Sequence, residues 1–174
     1  MLLADTGMRP DEYYRLCWEN ITFANGRNGT LLITHGKTPA ARRMLPMTPR
    51  VRELLERRWV AAGKLLEGFV WPAPTKSGHM DHSTLKKQHA RTFRTLNDEA
   101  KRTSQPILKP FVLYSFRHTF LTRLAESGCD AWTLARIAGW SDISISKRYV
   151  HPSEEAVLTA LARMSVPEPK KLTQ

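Results

Sequence analysis

The chain has 174 residues, 41% of them hydrophobic, enough to bury one core and short for two domains. Its 27 Lys and Arg outnumber 16 Asp and Glu for a formal charge of +11, an excess that a polyanion offsets, so nucleic acid is the leading partner class. No apolar run approaches the roughly 20 residues of a membrane-spanning helix, and MLLADTGMRPDE carries acids and an early Gly where a signal peptide would be basic and then apolar. Cys17 and Cys129 stand far apart without Cys-x-x-Cys spacing, which argues against a disulfide framework and for inert thiols in a reducing cytoplasm.

In chain order, Pro10, Asp11 and Glu12 read as the first turn of a helix with Arg9 at its mouth. Three β-prone runs follow between Ile21 and Met47, ITF, TLLIT and RRMLPM, broken by ANGRNG and HGKTPAA, and they predict a small three-stranded antiparallel sheet. Thr48 and Pro49 open a helix as N-cap and first residue, with Val51, Leu54, Leu55 and Trp59 at helical spacing. After the loop FVWPAPTKSGHMD, Ser83 is the expected cap of a long helix whose Leu85, Phe93, Leu96 and Ala100 form an inward stripe. Lys86, Lys87, Arg91 and Arg94 lie largely off that stripe.

Past the Pro-bounded PILKPFVL, one helix is expected around Ser115 to Ser127, closed by Gly128, and another from Asp130 to Ala138, closed by Gly139. A shorter helix should begin near Ser141 or Asp142 and carry Tyr149, and a last one should begin at Pro152. The tail from residue 166 to 174 is polar and expected to fray.

Cutting a DNA strand without a metal needs an activated hydroxyl as nucleophile, fixed cations for the phosphorane-like transition state, and a proton for the departing sugar oxygen. A Tyr, two Arg and a Lys meet those needs, because the arginine fork clamps phosphate oxygens and a lysine of lowered pKa gives up a proton. Taken singly, an arginine at a helix start, a lysine in a Gly-Lys-Thr turn and a tyrosine on a short helix are ordinary surface or packing residues. Their order along the chain is what sets them apart.

DTGMRPDEYYRLCWENI, THGKTPAARRMLPM, LYSFRHTFLTRL and IAGWSDISISKRYVHP together resemble, in order, the boxes of the tyrosine recombinase family, the phage-integrase-like enzymes. The resemblance implies a mainly helical catalytic domain with a small three-stranded antiparallel sheet. It implies Arg9 as first phosphate clamp with Glu12 as its supporting acid, and Lys37 in the hairpin as general acid to the leaving 5′ oxygen. Arg117 would be the second clamp, with His118 as a supporting packing or hydrogen-bonding residue, and Tyr149 the nucleophile of a 3′-phosphotyrosyl bond. Two positions depart from the commonest pattern, Tyr114 and Trp140 standing where His is frequent. Both are kept as site residues, Trp140 because its indole N–H can donate to a phosphate oxygen, while the acceptor of the Tyr149 proton stays open.

The implied activity is site-specific strand breakage and rejoining on double-stranded DNA, by a homo-tetramer on its sites, with no cofactor, no nucleotide and no membrane. Arg42, Arg43, Lys86, Lys87, Arg91 and Arg94 are the expected backbone-contacting cations. His79, Asp81, His82 and His89 fit no strong metal-ligand spacing, and GKTP lacks the earlier glycine of a phosphate-binding loop. The resemblance also leads one to expect helices and a clamping domain ahead of the first box, whereas Met1 lies eight residues before Arg9. Residues 1–165 are therefore expected to form a catalytic domain incomplete at its amino end. A DNA-binding remnant without recombinase activity, or a type IB topoisomerase-like relaxing enzyme, are the other readings.

Overall fold

The computed structural model describes residues 1–36, 38–150 and 154–164; Lys37, the expected helix start at Pro152 and the tail 166–174 lie outside the described residues. The chain is mostly helical around one three-stranded antiparallel sheet of order β1-β2-β3. A short helix α1 (Leu2–Thr6), which no cap or periodicity announces, precedes the expected α2 (Pro10–Tyr14). Gly7 joins them at φ 62, and an added Cβ there would lie 2.3 Å from the Phe120 ring, so this turn needs glycine for both conformation and space.

The three β-prone runs form β1 (Ile21–Thr22), β2 (Thr30–Ile33) and β3 (Arg43–Pro46), with Leu31 opposite Leu45 and Ile33 opposite Arg43. Alternation turns Leu31, Ile33 and Leu45 to the inner face. Helix α3 (Pro49–Ala61) covers that face with buried Val51 and Leu55, and Thr48 Oγ1 accepts the Val51 N–H at 3.3 Å as the expected cap. Leu2, Leu3, Met8, Leu16, Trp18 and Val70 complete this core.

Helix α4 (His82–Arg102) departs from expectation in two ways. Its cap is Asp81, whose Oδ1 accepts the Thr84 N–H at 2.6 Å and the Ser83 hydroxyl at 2.9 Å; the carboxylate is the stronger acceptor and draws Ser83 to itself. No α4 residue is buried, and Leu96 of the expected stripe is 49% exposed. The helix meets its neighbours through aromatic edges, with His89 and Phe93 against Phe111 at centroid distances of 4.9 and 5.8 Å.

A second, smaller core gathers around α5 (Tyr114–Glu126) and α6 (Ala131–Ala138), where Leu121, Leu134 and Ala138 are buried against Phe120, Trp140, Tyr149 and Val150. Asp130 caps α6 by accepting the Trp132 and Thr133 N–H groups, both at 2.9 Å, and Gly139 ends it at φ 67. The expected shorter helix is a 3-10 helix, Ile143–Arg148, capped by Asp142, with Tyr149 at its end. Alternating β-branched and serine residues disfavour the wider α-helix there. Helix α7 (Glu154–Met164) follows. Among the described residues no helix is long and apolar enough to cross a membrane. Cys17 and Cys129 are free, and burial raises both thiols, Cys17 to about 11.

Candidate active site

Helix α5 presents adjacent residues to different surroundings, because successive helical positions are about 100° apart. Arg117 points inward and is 1% exposed. Its Nη1 donates to the Gly7 carbonyl at 2.7 Å and its Nη2 to the Ala138 carbonyl at 2.6 Å. The second of these acceptors lies at the C-terminal, electronegative end of α6. Burial lowers the Arg117 pKa, and the nearby Arg9 charge acts in the same direction. Its buried Nε–H has no acceptor among the described residues, and an unmet donor in such a place costs about 1–3 kcal/mol unless a ligand meets it.

Past Ala138, the left-handed turn at Gly139 delivers Trp140, whose ring centroid is 5.9 Å from the Arg117 guanidinium. Tyr149 stacks on the same indole at 5.5 Å and 26°. Tyr149 also meets His118, with ring centroids 6.1 Å apart and Nδ1 at 2.6 Å from the Tyr149 hydroxyl oxygen. Tyr114 meets His118 edge-on at 5.0 Å. Burial pushes the Tyr149 phenol up, the neighbouring Tyr114 adds to it, and the Arg117 and Arg148 charges oppose it.

Arg9 caps α2 and is braced by Glu12, which accepts its backbone N–H and its Nη1, both at 2.8 Å. Glu12 is 4% exposed. Burial alone would raise its carboxyl, but the hydrogen bond and charge of Arg43, with the Arg9 contacts, hold it below the usual carboxylate value. Arg43 itself corrects the sequence expectation of a DNA contact. It is 6% exposed, grips both Glu12 oxygens at 3.0 Å and donates Nε to the Ile137 carbonyl at 2.6 Å. The reason is strand alternation, which sends Arg43 to the face of Leu45 and Met47; that signal was present in RRMLPM.

Tyr114, Arg117, His118, Trp140 and Tyr149 are thus brought together, and Arg9, Glu12 and Arg43 form a buried-to-surface chain beside them, Arg9 acting on Arg117 through its charge. Lys37 lies outside the described residues, and Arg42 is exposed on β3's flank. On α4, Lys86 and Arg94 line a cleft of about 900 Å³ together with Arg9, Tyr14, Phe93 and Tyr114, while Lys87 and Arg91 are exposed. Among the described residues no group of three or more His, Cys, Asp or Glu is placed to hold a metal. The Tyr149–His118 contact and the carbonyl anchors of Arg117 carry no sequence signal, since each joins residues from separate elements.

The family model described as "Phage integrase family" matches residues 1–156. An "Integrase/recombinase" of Escherichia coli is 31% identical over 179 residues, spanning 86% of this chain and 52% of that protein. A "Tyrosine recombinase" of Pseudothermotoga lettingae is 24% identical, spanning 94% of this chain and 51% of its own length. The chain therefore spans about half the length of the curated relatives it matches. Among solved structures, the Tn1549 transposon integrase in complex with circular intermediate DNA superposes with a TM-score of 0.69 at 21% identity, over 94% of this chain and 55% of that one. The XerA recombinase does so with 0.63 at 19%, over 95% and 55%. These two likenesses show the fold.

Proposed function

The chain belongs to the phage integrase family, and on that premise we propose that it cuts and rejoins double-stranded DNA as a site-specific recombinase, through a covalent 3′-phosphotyrosyl intermediate on Tyr149. What carries this reading is the convergence of Arg117, Trp140 and Tyr149: an indole 5.9 Å from the buried guanidinium is stacked at 5.5 Å on the tyrosine.

Residues 1–165 act as the catalytic domain in this reading. Arg9 and Arg117 hold the non-bridging phosphate oxygens, with Glu12 fixing Arg9 and the two carbonyl anchors fixing Arg117. Fixed cations of this kind need no reorganisation as charge develops in the transition state. The Trp140 indole N–H donates to a phosphate oxygen, Tyr114 lines the same wall, and Lys37 protonates the departing 5′ oxygen. Phosphodiester energy is retained in the tyrosine link, so the reaction calls for no nucleotide and no metal. Lys86, Lys87, Arg91 and Arg94 on α4, with Arg42, follow the DNA backbone. Recombination joins two sites, each cut on two strands, which a homo-tetramer on DNA in the cytoplasm provides.

A denaturing gel tests this. The purified chain is incubated with supercoiled plasmid and with a pool of nicked duplexes, from which the short cleaved strand escapes and leaves the covalent adduct trapped. A shifted band given by the parent and absent from Tyr149→Phe, which should still bind DNA, is the expected result. Folded, DNA-binding parent protein that yields no adduct on any substrate would replace this reading with that of a DNA-binding module.

A further inference from the structure

A phenol must lose its hydrogen before its oxygen attacks phosphorus, and the residue three before Arg117 is Tyr114, a hydroxyl rather than an imidazole. Burial and Tyr114 hold the Tyr149 phenol above its ordinary value, so free phenolate is scarce at neutral pH and a base has to take the proton. His118 stands where that base is needed. Its Nδ1 is 2.6 Å from the Tyr149 hydroxyl oxygen, inside the range over which a general base takes a proton directly.

The surroundings fix this contact. Trp140 stacks on the tyrosine at 5.5 Å and Tyr114 meets the edge of His118 at 5.0 Å, which restrains both rings. His118 is exposed while its neighbour Arg117 is buried; one residue of helical rotation separates a fixed cation from a side chain that can exchange protons with water. Among the described residues, the titratable groups facing Tyr149 are Tyr114, Arg117 and His118 from α5 and Arg148 from the preceding 3-10 turn. Only an imidazole among these ordinarily changes charge between pH 5 and 8.

We propose, resting on the strand-cleavage reading above, that His118 is the general base of the reaction, accepting the Tyr149 proton at Nδ1 during cleavage and returning it during religation. In cleavage the Tyr149 O–H bond breaks, its electron pair forms the oxygen–phosphorus bond, and His118 becomes imidazolium. The bond from phosphorus to the 5′ oxygen breaks, and that oxygen keeps the pair and takes a proton from Lys37. Religation reverses each step: the 5′ hydroxyl gives its proton to Lys37 and attacks phosphorus, and the departing tyrosine oxygen recovers its hydrogen from His118. The tautomer required beforehand carries its hydrogen on Nε2.

The test is single-turnover adduct formation by the full chain on the nicked-duplex pool, from about pH 5 to 9, for the parent, His118→Gln, His118→Ala and Tyr149→Phe. The parent rate should fall on the acid side, where the base is protonated and cannot take the phenol hydrogen. His118→Gln should be slower by about a hundredfold or more and lose that acid limb, and free imidazole should restore part of the rate of His118→Ala. Glutamine keeps a hydrogen-bonding group on this side chain, so a His118→Gln rate near the parent's, with the acid limb intact, would reduce His118 to a positioning role and overturn the proposal. A parent that forms no adduct overturns the strand-cleavage reading, and this inference with it.

Discussion

Arg43 closes both terminal nitrogens of its side chain on the two carboxylate oxygens of Glu12, each at 3.0 Å, while Arg9 holds the same carboxylate at 2.8 Å. One buried acid is thereby shared between a cation of the sheet and a cation at the mouth of α2. The Arg43 Nε donates to the carbonyl of Ile137 at 2.6 Å, one residue before the carbonyl that anchors Arg117. Two guanidinium groups thus dock on the electronegative end of α6. The turn bearing Trp140 is fixed by side chains that come from β3 and α5.

Breaking a buried ion pair by removing one partner leaves an uncompensated charge, which typically costs about 3–5 kcal/mol. Arg43→Met should fall at the lower end of that range, because Arg9 still neutralises Glu12 in part. Urea denaturation of Arg43→Met, Glu12→Leu and the double variant measures this. The double variant should cost well under the sum of the two single changes, since the residues act as one unit.

Glu12 also sets a pH dependence. Burial works to raise its carboxyl, but the Arg43 and Arg9 interactions prevail and its folded-state pKa lies below the ordinary 4.5. A depressed folded pKa stabilises the native state fully above the unfolded value, and that contribution is lost as pH falls through the folded pKa. Stability should therefore be insensitive to this group at neutral pH and decline below about pH 4.5. In Glu12→Gln the acid-side decline should be shallower, as read from urea midpoints across pH.

These contacts mark how far the sequence could be followed. Caps were legible where one residue meets its own backbone, as at Thr48, Asp130 and Gly139. The order of the boxes carried the family and the mainly helical fold with its small sheet. The charge of Arg43 suggests a surface cation, whereas its place in the alternation Arg43, Leu45, Met47 turns it inward. Helix α1 was missed because five residues offer too little periodicity, and its stability comes from packing on α5. Ser83 lost the cap to Asp81 through competition between two adjacent acceptors, which composition does not rank. The hydrogen bond from Tyr149 to His118 spans 31 positions and exists only once two cores have packed.

Gly7 should be intolerant of even one methyl group. Its φ is 62 and an added Cβ would meet Phe120 at 2.3 Å, so Gly7→Ala combines left-handed backbone strain with overpacking, about 2–4 kcal/mol together. Its carbonyl is an anchor of Arg117, so adduct formation should suffer beyond the loss of folded protein. Comparing single-turnover rates at a temperature where both proteins are folded separates the two effects.

Arg117→Lys keeps a positive charge and removes the fork. An ammonium group can satisfy the Gly7 or the Ala138 carbonyl but not hold both in the present geometry. Adduct formation should fall about a hundredfold or more, the scale of losing one preorganised donor to a transition-state oxygen. Stability should fall by about 1–3 kcal/mol for the carbonyl left unpaired. Arg9→Lys should show a similar loss of rate with a smaller loss of stability, because its side chain is 30% exposed.

The contrast between Arg42 and Arg43 can be read directly from salt dependence. Each phosphate contact contributes a slope of about −0.9 to the logarithm of the binding constant against the logarithm of salt. Arg42, Lys86 and Arg94 are exposed, and replacing each by Ala should weaken DNA binding and make the slope less steep by about that amount. Arg43 is sealed against Glu12 and Ile137, so Arg43→Met, kept below its unfolding midpoint, should leave the slope unchanged. Fluorescence anisotropy titrations of one labelled duplex over a range of salt concentrations measure all four. A slope that shifts with Arg43 as much as with Arg42 would mean that the Arg43–Glu12 pair opens when DNA binds.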